Sequence, residues 1–330
     1  MTASAFANNW RLGDRPDLRS MNVVNRLLRM LDMRGPGALP SFDGATRLLI
    51  GSDYSGQHAG SQHESLAFVV ADATALGPWF DARAKCRETH LRDGRRMSFK
   101  SLNDRLRAIA LPDFLSAADL IPGLLLVVLF DKRIGSIFAS DKDQGVLPPE
   151  FQRFVEWPGR TQERMLRVCH VLALILAGLT RERQDILWIT DEDEIAANVE
   201  RHTLFTHAFG TIASHYLEHG LGYLRVATTA SDTGGRDIED FVAVADLAAG
   251  AVCHVLNAYG LTGLSEVPGL VIPPPLGSPQ KVEWLLNWFS NDCTPLRRLI
   301  LSFEVIENSP RLEVRHLELL GSNGLFKSLR

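Results

Sequence analysis

An α/β fold, with a mixed sheet flanked by helices, is what this sequence predicts, and three observations predict it. Apolar runs of strand length recur along the chain, at residues 48–50, 65–71, 124–130, 185–190 and 223–228. From residue 124 onward they alternate with helix-length stretches, which implies parallel pairing and right-handed crossovers. The first two runs are joined by a link rich in Gly, Ser and His, the pattern of a strand, a turn and a second strand.

Taken in order, residues 1–40 begin polar and then give a helix over 21–33 that carries Arg26 and Arg29 and stops at Gly35-Pro36-Gly37. This is an N-terminal helical arm that docks on the body or on a partner. A core domain over 41–262 follows. Its first strand delivers Asp53 into a turn marked by Ser55 and Gly56, and a helix is expected over 79–89. The run 124–130 is continuously apolar, as a central strand requires, and it ends at Asp131-Lys132. A helix over 161–180 leads to the strand 185–190, which runs into Asp191, Glu192, Asp193 and Glu194. Helices over 196–218 and 238–258 enclose the strand 223–228 and the turn at Gly234-Gly235. Residues 263–330 form a C-terminal extension in which Pro273-Pro-Pro275 is a stiff break and a short aromatic helix covers 282–289. A β-hairpin over 297–306 and 311–319 closes it, turned at Asn308-Ser-Pro310.

The totals bound the function. A chain of 330 residues buries a large core as one elaborated domain or two smaller ones. A net charge of −4 argues against coating nucleic acid by bulk charge, though it leaves room for a local basic groove. Cys86, Cys169, Cys253 and Cys293 are scattered without a C-x-x-C pair, so no disulfide framework or structural zinc is signalled. No secretory signal is visible, and the longest apolar stretches, 120–130 and 168–179, fall short of the roughly 20 residues of a membrane span. The expectation is a cytoplasmic protein with no membrane partner.

Chemistry concentrates in the carboxylates. Asp246 is the only charged residue between Val242 and Val252, among alanines and Gly250 that let a helix lie close against a sheet. So apolar a setting calls for a partner, either an arginine from elsewhere or a cation. Asp53 and Asp191 each end an apolar strand, and parallel neighbours would project both from the edge where open α/β sheets place their ligands. With Asp246 brought to that edge, three acids would repel one another unless Mg²⁺ or Mn²⁺ neutralised them. Two such ions about 4 Å apart hydrolyse phosphodiesters, one activating water and the other stabilising the leaving oxygen. Asp193 is a substitute ligand at the same strand end.

The order Asp53-Tyr-Ser-Gly56, Phe130-Asp-Lys132, Asp191 after Trp188-Ile-Thr190, and Val244-Ala-Asp-Leu-Ala-Ala-Gly250 resembles the ribonuclease H-like proteins grouped as domain-of-unknown-function family 3800. Their pattern is a D-x-S-G hairpin, a D-K pair closing a middle strand, an acid after the next strand and an A-D-L-x-x-G helix. The match covers residues 45–260. The resemblance implies a ribonuclease H-like sheet, metal ligands at Asp53, Asp191 and Asp246, Lys132 near the substrate, and a setting in phage defence or mobile elements. Family members commonly have glutamate where Tyr54 stands, and a tyrosine cannot bridge metal ions as an acid.

The segment from Arg92 to Arg107 holds Arg92, Arg95, Arg96, Lys100, Arg105 and Arg107 against Asp93 and Asp104. It is either a solvated face or a rim that contacts phosphate. His215 and His219, four apart, would share a helix face but have no third zinc ligand nearby. His58, His63 and Glu64 flank the acidic turn, as proton carriers or as a solvated loop. No G-x-S-x-G, G-x-x-x-x-G-K-[ST] or G-x-G-x-x-G motif is present, which removes the main support for an esterase, a P-loop nucleotidase or a Rossmann dehydrogenase. The leading expectation is a metal-dependent nuclease acting on DNA or RNA. Its rivals are an inactive scaffold or nucleic-acid-binding subunit, whose N-terminal arm or C-terminal hairpin would meet a protein partner or a second copy, and a phosphoesterase of small nucleotides.

Overall fold

Period-two alternation and uninterrupted apolar runs become strands of one sheet in the computed structural model of the chain, which describes residues 8, 10, 19–34, 38–138, 156–263, 271–291, 293–305 and 312–321. In chain order the strands are β1 (Arg47–Ser55), β2 (His63–Asp72), β3 (Gly123–Asp131), β4 (Asp185–Thr190), β5 (Leu224–Thr228), β6 (Val271–Ile272), β7 (Leu296–Val305) and β8 (Leu312–Leu319). They lie in the order β5-β4-β1-β2-β3-β7-β8-β6. β2 is antiparallel to both β1 and β3, whereas β4 is parallel to β1, β5 to β4 and β7 to β3. The sheet is therefore mixed, and the carboxyl ends of β1, β3, β4, β5 and β7 share one edge.

Seven helices cover the two faces: α1 (Arg19–Asp32), α2 (Gly77–His90), α3 (Arg105–Ala118), α4 (Gly159–Leu179), α5 (Val199–Tyr216), α6 (Asp237–Gly263) and α7 (Gln280–Phe289). Leu48, Ile50 and Tyr54 of β1 pack with α1, α4 and α5, while Leu49 faces α2, α3, α6 and α7. This split follows from the strand period, since successive side chains take opposite faces. β3 is buried along its whole length, which explains its unbroken apolar sequence.

Each face also holds a buried ionic lattice. On one, Arg83 and Arg87 of α2 grip the buried Asp240 of α6, and Arg83 reaches Asp237 and the Gly235 carbonyl as well. On the other, the buried Glu64 of β2 pairs with Arg164 and Arg167 of α4. Removing one partner from such a pair costs about 3–5 kcal/mol, because the other charge stays buried.

Several sequence expectations are revised. Asp53 is not in the turn but inside β1, paired opposite Ala67. The basic segment is not one unit. Asp104 accepts the N–H of Arg107 and starts α3, a helix with Pro112 inside it that the run of positive charge concealed. The two C-terminal strands pair with each other, the expected turn at 308–310 lying outside the described residues, yet they belong to the main sheet: β7 pairs with β3 from Gly123↔Leu296 to Phe130↔Phe303. An apolar strand such as β3 needs a neighbour on both sides to satisfy its backbone. The longest apolar stretch is also neither 120–130 nor 168–179 but lies in α6. Within Asp237–Gly260 the most apolar 18-residue window has a mean hydropathy of 1.7, so the helix is long and apolar enough to cross a membrane, and 78% of that window is buried inside the fold.

Gly123 tests this register. A Cβ there would run into the carbonyl oxygen of Val70, backbone that cannot turn aside. Gly123→Ala should lower stability by about 1–3 kcal/mol or more, seen as an earlier urea midpoint, and an unchanged midpoint would contradict the pairing of β2 with β3.

Candidate functional site

The shared edge gathers the carboxylates. The last paired residues of β1 and β4 in register are Ser52 and Thr190. Asp53 and Asp191 hold the next position on each chain segment, about 5 Å apart by the spacing of neighbouring strands. Asp53 faces α6, where its carboxyl group is hydrogen-bonded to that of Asp246. Burial raises the Asp53 pKa well above the carboxylate range, and the charges of Asp246 and Asp191 raise it further. Burial also raises Asp246, opposed by the Phe99 N–H, by the bond from Asp53 and by the charge of Lys100. Both carboxyl groups are thus shifted upward, and the hydrogen bond between them requires one shared proton. Asp191 accepts a bond from the Thr229 hydroxyl at 2.9 Å.

The close approach of α6 makes this contact possible. Gly51 of β1 has no side chain, and a Cβ there would meet the Phe241 ring of α6 at 2.9 Å. Phe99 lies in the Phe99–Ser101 3₁₀ turn, and its N–H donates to Asp246 Oδ2 at 2.8 Å. Its ring fills the notch at Gly250, one helical turn beyond Asp246, where a Cβ would collide with it. Lys281 of α7 holds the same residue, with Nζ 4.6 Å from the ring centroid and 3.3 Å from the Phe99 carbonyl oxygen. Nothing in the sequence pattern marked Phe99, Lys281 or Thr229. Gly250, four residues after Asp246 and so on the same face, was the one local signal.

Among the described residues, the hydrogen-bond partners of Asp53, Asp191 and Asp246 are the backbone N–H groups of Tyr54 and Phe99, the Thr229 hydroxyl and one another, with Lys100 the nearby positive charge and no ion pair to an arginine. No three His, Cys, Asp or Glu side chains there close into a metal cage. Two touching carboxylates with a third on the next strand suit an ion such as Mg²⁺, which keeps several waters and needs only one or two carboxylates. A bound cation would replace the shared proton.

Other expected residues lie elsewhere. Asp193 turns away: its Oδ1 accepts the Ile195 N–H at 2.9 Å, and its electrostatic neighbours are Tyr54 and Arg164 on the far face. Burial lifts its pKa to about 6. Tyr54 also points to that far face, 3.1 Å from Ser52 Oγ and 3.3 Å from Thr190 Oγ1. A residue at position 54 therefore cannot reach the Asp53–Asp246 pair from this strand.

Within the basic segment, Arg95 is paired with Asp93 and Asp104, Arg107 with Asp104, and Arg96 with Glu239. Three of the six expected phosphate contacts are thus committed to carboxylates. Arg92, Lys100 and Arg105 are exposed and form no ion pair among the described residues. Lys132 stands at the end of β3 with Nζ 2.8 Å from the His58 carbonyl oxygen. His63 is buried, its pKa lowered first by that burial, and it neighbours Asn257 rather than Asp246. Glu64 faces α4. His215 and His219 do not share a helix face, because α5 ends at Tyr216 and His219 bonds Thr180 instead.

No protein-family model matches the chain, and no curated protein matches it.

Two substitutions probe the site. Gly250→Ala should push Phe99 off α6 and remove its N–H from Asp246, so the Asp246 pKa should rise further, read by carboxyl-carbon NMR titration. Asp246→Asn addresses the proton. A folded pKa raised above its unfolded value means stability is lost as pH climbs from about 4 through the folded value. The amide removes that loss, so without metal the variant should melt about 1–2 °C higher at neutral pH for each kcal/mol relieved. If Mn²⁺ binds at this pair, it should raise the melting temperature of the parent protein and not that of the variant.

Proposed function

We propose that this chain is a metal-dependent nuclease with a ribonuclease H-like core, hydrolysing phosphodiester bonds in DNA or RNA. The observation that carries this reading is the Asp53–Asp246 carboxyl pair, in mutual contact at a sheet edge, with Asp191 just past the end of the adjoining strand and no ion pair to any of the three among the described residues. Further support comes from the motifs behind the family resemblance. The D-x-S-G run forms the β1–β2 hairpin, the D-K pair closes β3, Asp191 follows β4 and the A-D-L-x-x-G run lies in α6.

Mg²⁺ or Mn²⁺, two ions in the full arrangement, would be held by Asp53 and Asp246 with Asp191, supplying Lewis acidity to the attacking water and the leaving oxygen. The residues of the chain do the rest. The Phe99 N–H fixes the orientation of Asp246, and the Thr229 hydroxyl fixes that of Asp191. Lys100, on the turn beside Asp246, and Lys132, at the end of β3, supply positive charge for phosphate, with Arg92 and Arg105 further out. The biological setting proposed is cytoplasmic, in phage defence or mobile-element function.

A second reading, a nuclease-like scaffold without chemistry, is favoured by one observation: the described residues form no closed three-ligand cage. One experiment separates the two. The purified chain and its Asp246→Asn variant are incubated with labelled single- and double-stranded DNA and RNA in Mn²⁺, Mg²⁺ or EDTA. Cleavage that needs metal and disappears in the variant is expected. Binding without cleavage in any metal would support the scaffold, and cleavage confined to mononucleotides would make this a small-molecule phosphoesterase.

A further inference from the structure

We propose that Lys132 and Arg160 form a clamp for a backbone phosphate of a single nucleic-acid strand, set beside the carboxylate edge. The inference rests on the nuclease reading for its ligand class and adds Arg160, which no motif marks. Lys132 Nζ donates to the His58 carbonyl oxygen, and Arg160 Nη2 donates to the Gln57 carbonyl oxygen, each at 2.8 Å. Gln57 and His58 are consecutive, with Cα atoms about 3.8 Å apart. Two cationic heads from separate elements, the end of β3 and the start of α4, are therefore anchored side by side on the β1–β2 turn.

Neither head has an acid partner among the described residues, and the nearby acids are engaged elsewhere. Glu64 and Glu194 bind Arg164, and Asp131 binds Arg133. Burial lowers the Lys132 pKa, and the charge of Arg160 lowers it further, so the two cations repel each other. Arg160 is moreover in the first turn of α4, where a cation opposes the helix dipole and where no acidic residue offsets it. An anion held between the two heads relieves both penalties. A phosphodiester is the anion that the neighbouring carboxylate site would handle, and guanidinium and ammonium groups both bind it.

The position sets the size of the ligand. Gln57 follows Asp53 by four positions, on the order of 10 Å of chain. The clamp and the carboxylates are built from separate residues, so each can take a phosphate of its own, and a strand supplies both while a mononucleotide does not.

The test is binding in EDTA, where no chemistry occurs, so its outcome is independent of whether the chain cleaves anything. A fluorescein-labelled single-stranded oligonucleotide is titrated with the parent chain, Arg160→Ala and Arg160→Lys across a range of salt. Thermal melting shows that each is folded. Arg160→Ala should bind about tenfold more weakly, the usual scale for removing a charged hydrogen bond. Its salt slope should be shallower by about 0.7, the value for neutralising one phosphate fewer on a single strand. Arg160→Lys should restore most of the slope. Unchanged affinity and slope in Arg160→Ala would overturn the clamp, as would a parent chain that does not bind the oligonucleotide. Competition by inorganic phosphate or AMP as effective as competition by unlabelled oligonucleotide would overturn the strand as its ligand.

Discussion

Contact between the carboxyl groups of Asp53 and Asp246 depends on how near α6 can come to β1, and the small residues of both elements set that distance. Gly51 leaves room for the Phe241 ring, and Ala245, Ala248, Ala249 and Gly250 let the helix settle onto the sheet and receive Phe99. Larger side chains would lift α6 and separate the two acids. The close fit leaves a buried acidic pair with no arginine to offset it, a cost the fold meets in part by sharing one proton. Buried carboxyl groups with strongly shifted pKa values cluster at functional sites, which is why this pair carries the proposed function.

The two faces of the sheet divide the polar work. Asp53, Asp191 and Asp246 belong to the α6 side, while Tyr54, Asp193, Glu64, Arg164 and Arg167 belong to the α4 side. Tyr54 therefore stands outside the carboxylate pair and inside a hydrogen-bonded group with Ser52 and Thr190. Beneath the turn, the Glu64 network ties α4 to β2 and so fixes where Arg160 meets the β1–β2 turn.

The C-terminal residues are joined to the site rather than hung from the domain. β7 lies between β3 and β8, and α7 brings Lys281 over Phe99, whose N–H holds Asp246. On the other flank, Arg83 and Arg87 fasten the start of α6 to α2. The helix that carries Asp246 is thus secured at its first turn by charge and near its middle by an aromatic ring, which leaves the carboxylate little freedom to move.

Much of this was legible in the residues alone. The strand over 185–190 matches β4, the helices over 161–180 and 282–289 match α4 and α7 closely, and three aspartates of unusual setting stood out. Hydrophobic period and turn chemistry are local properties, so the sequence determined the elements and the acids that end them. Only the tertiary structure decided which face each acid takes, that Asp193 turns away, that three of the basic residues are tied to carboxylates and that β7 enters the sheet. Those outcomes depend on strand register and helix docking, which join residues far apart in the chain, and no local pattern encodes them.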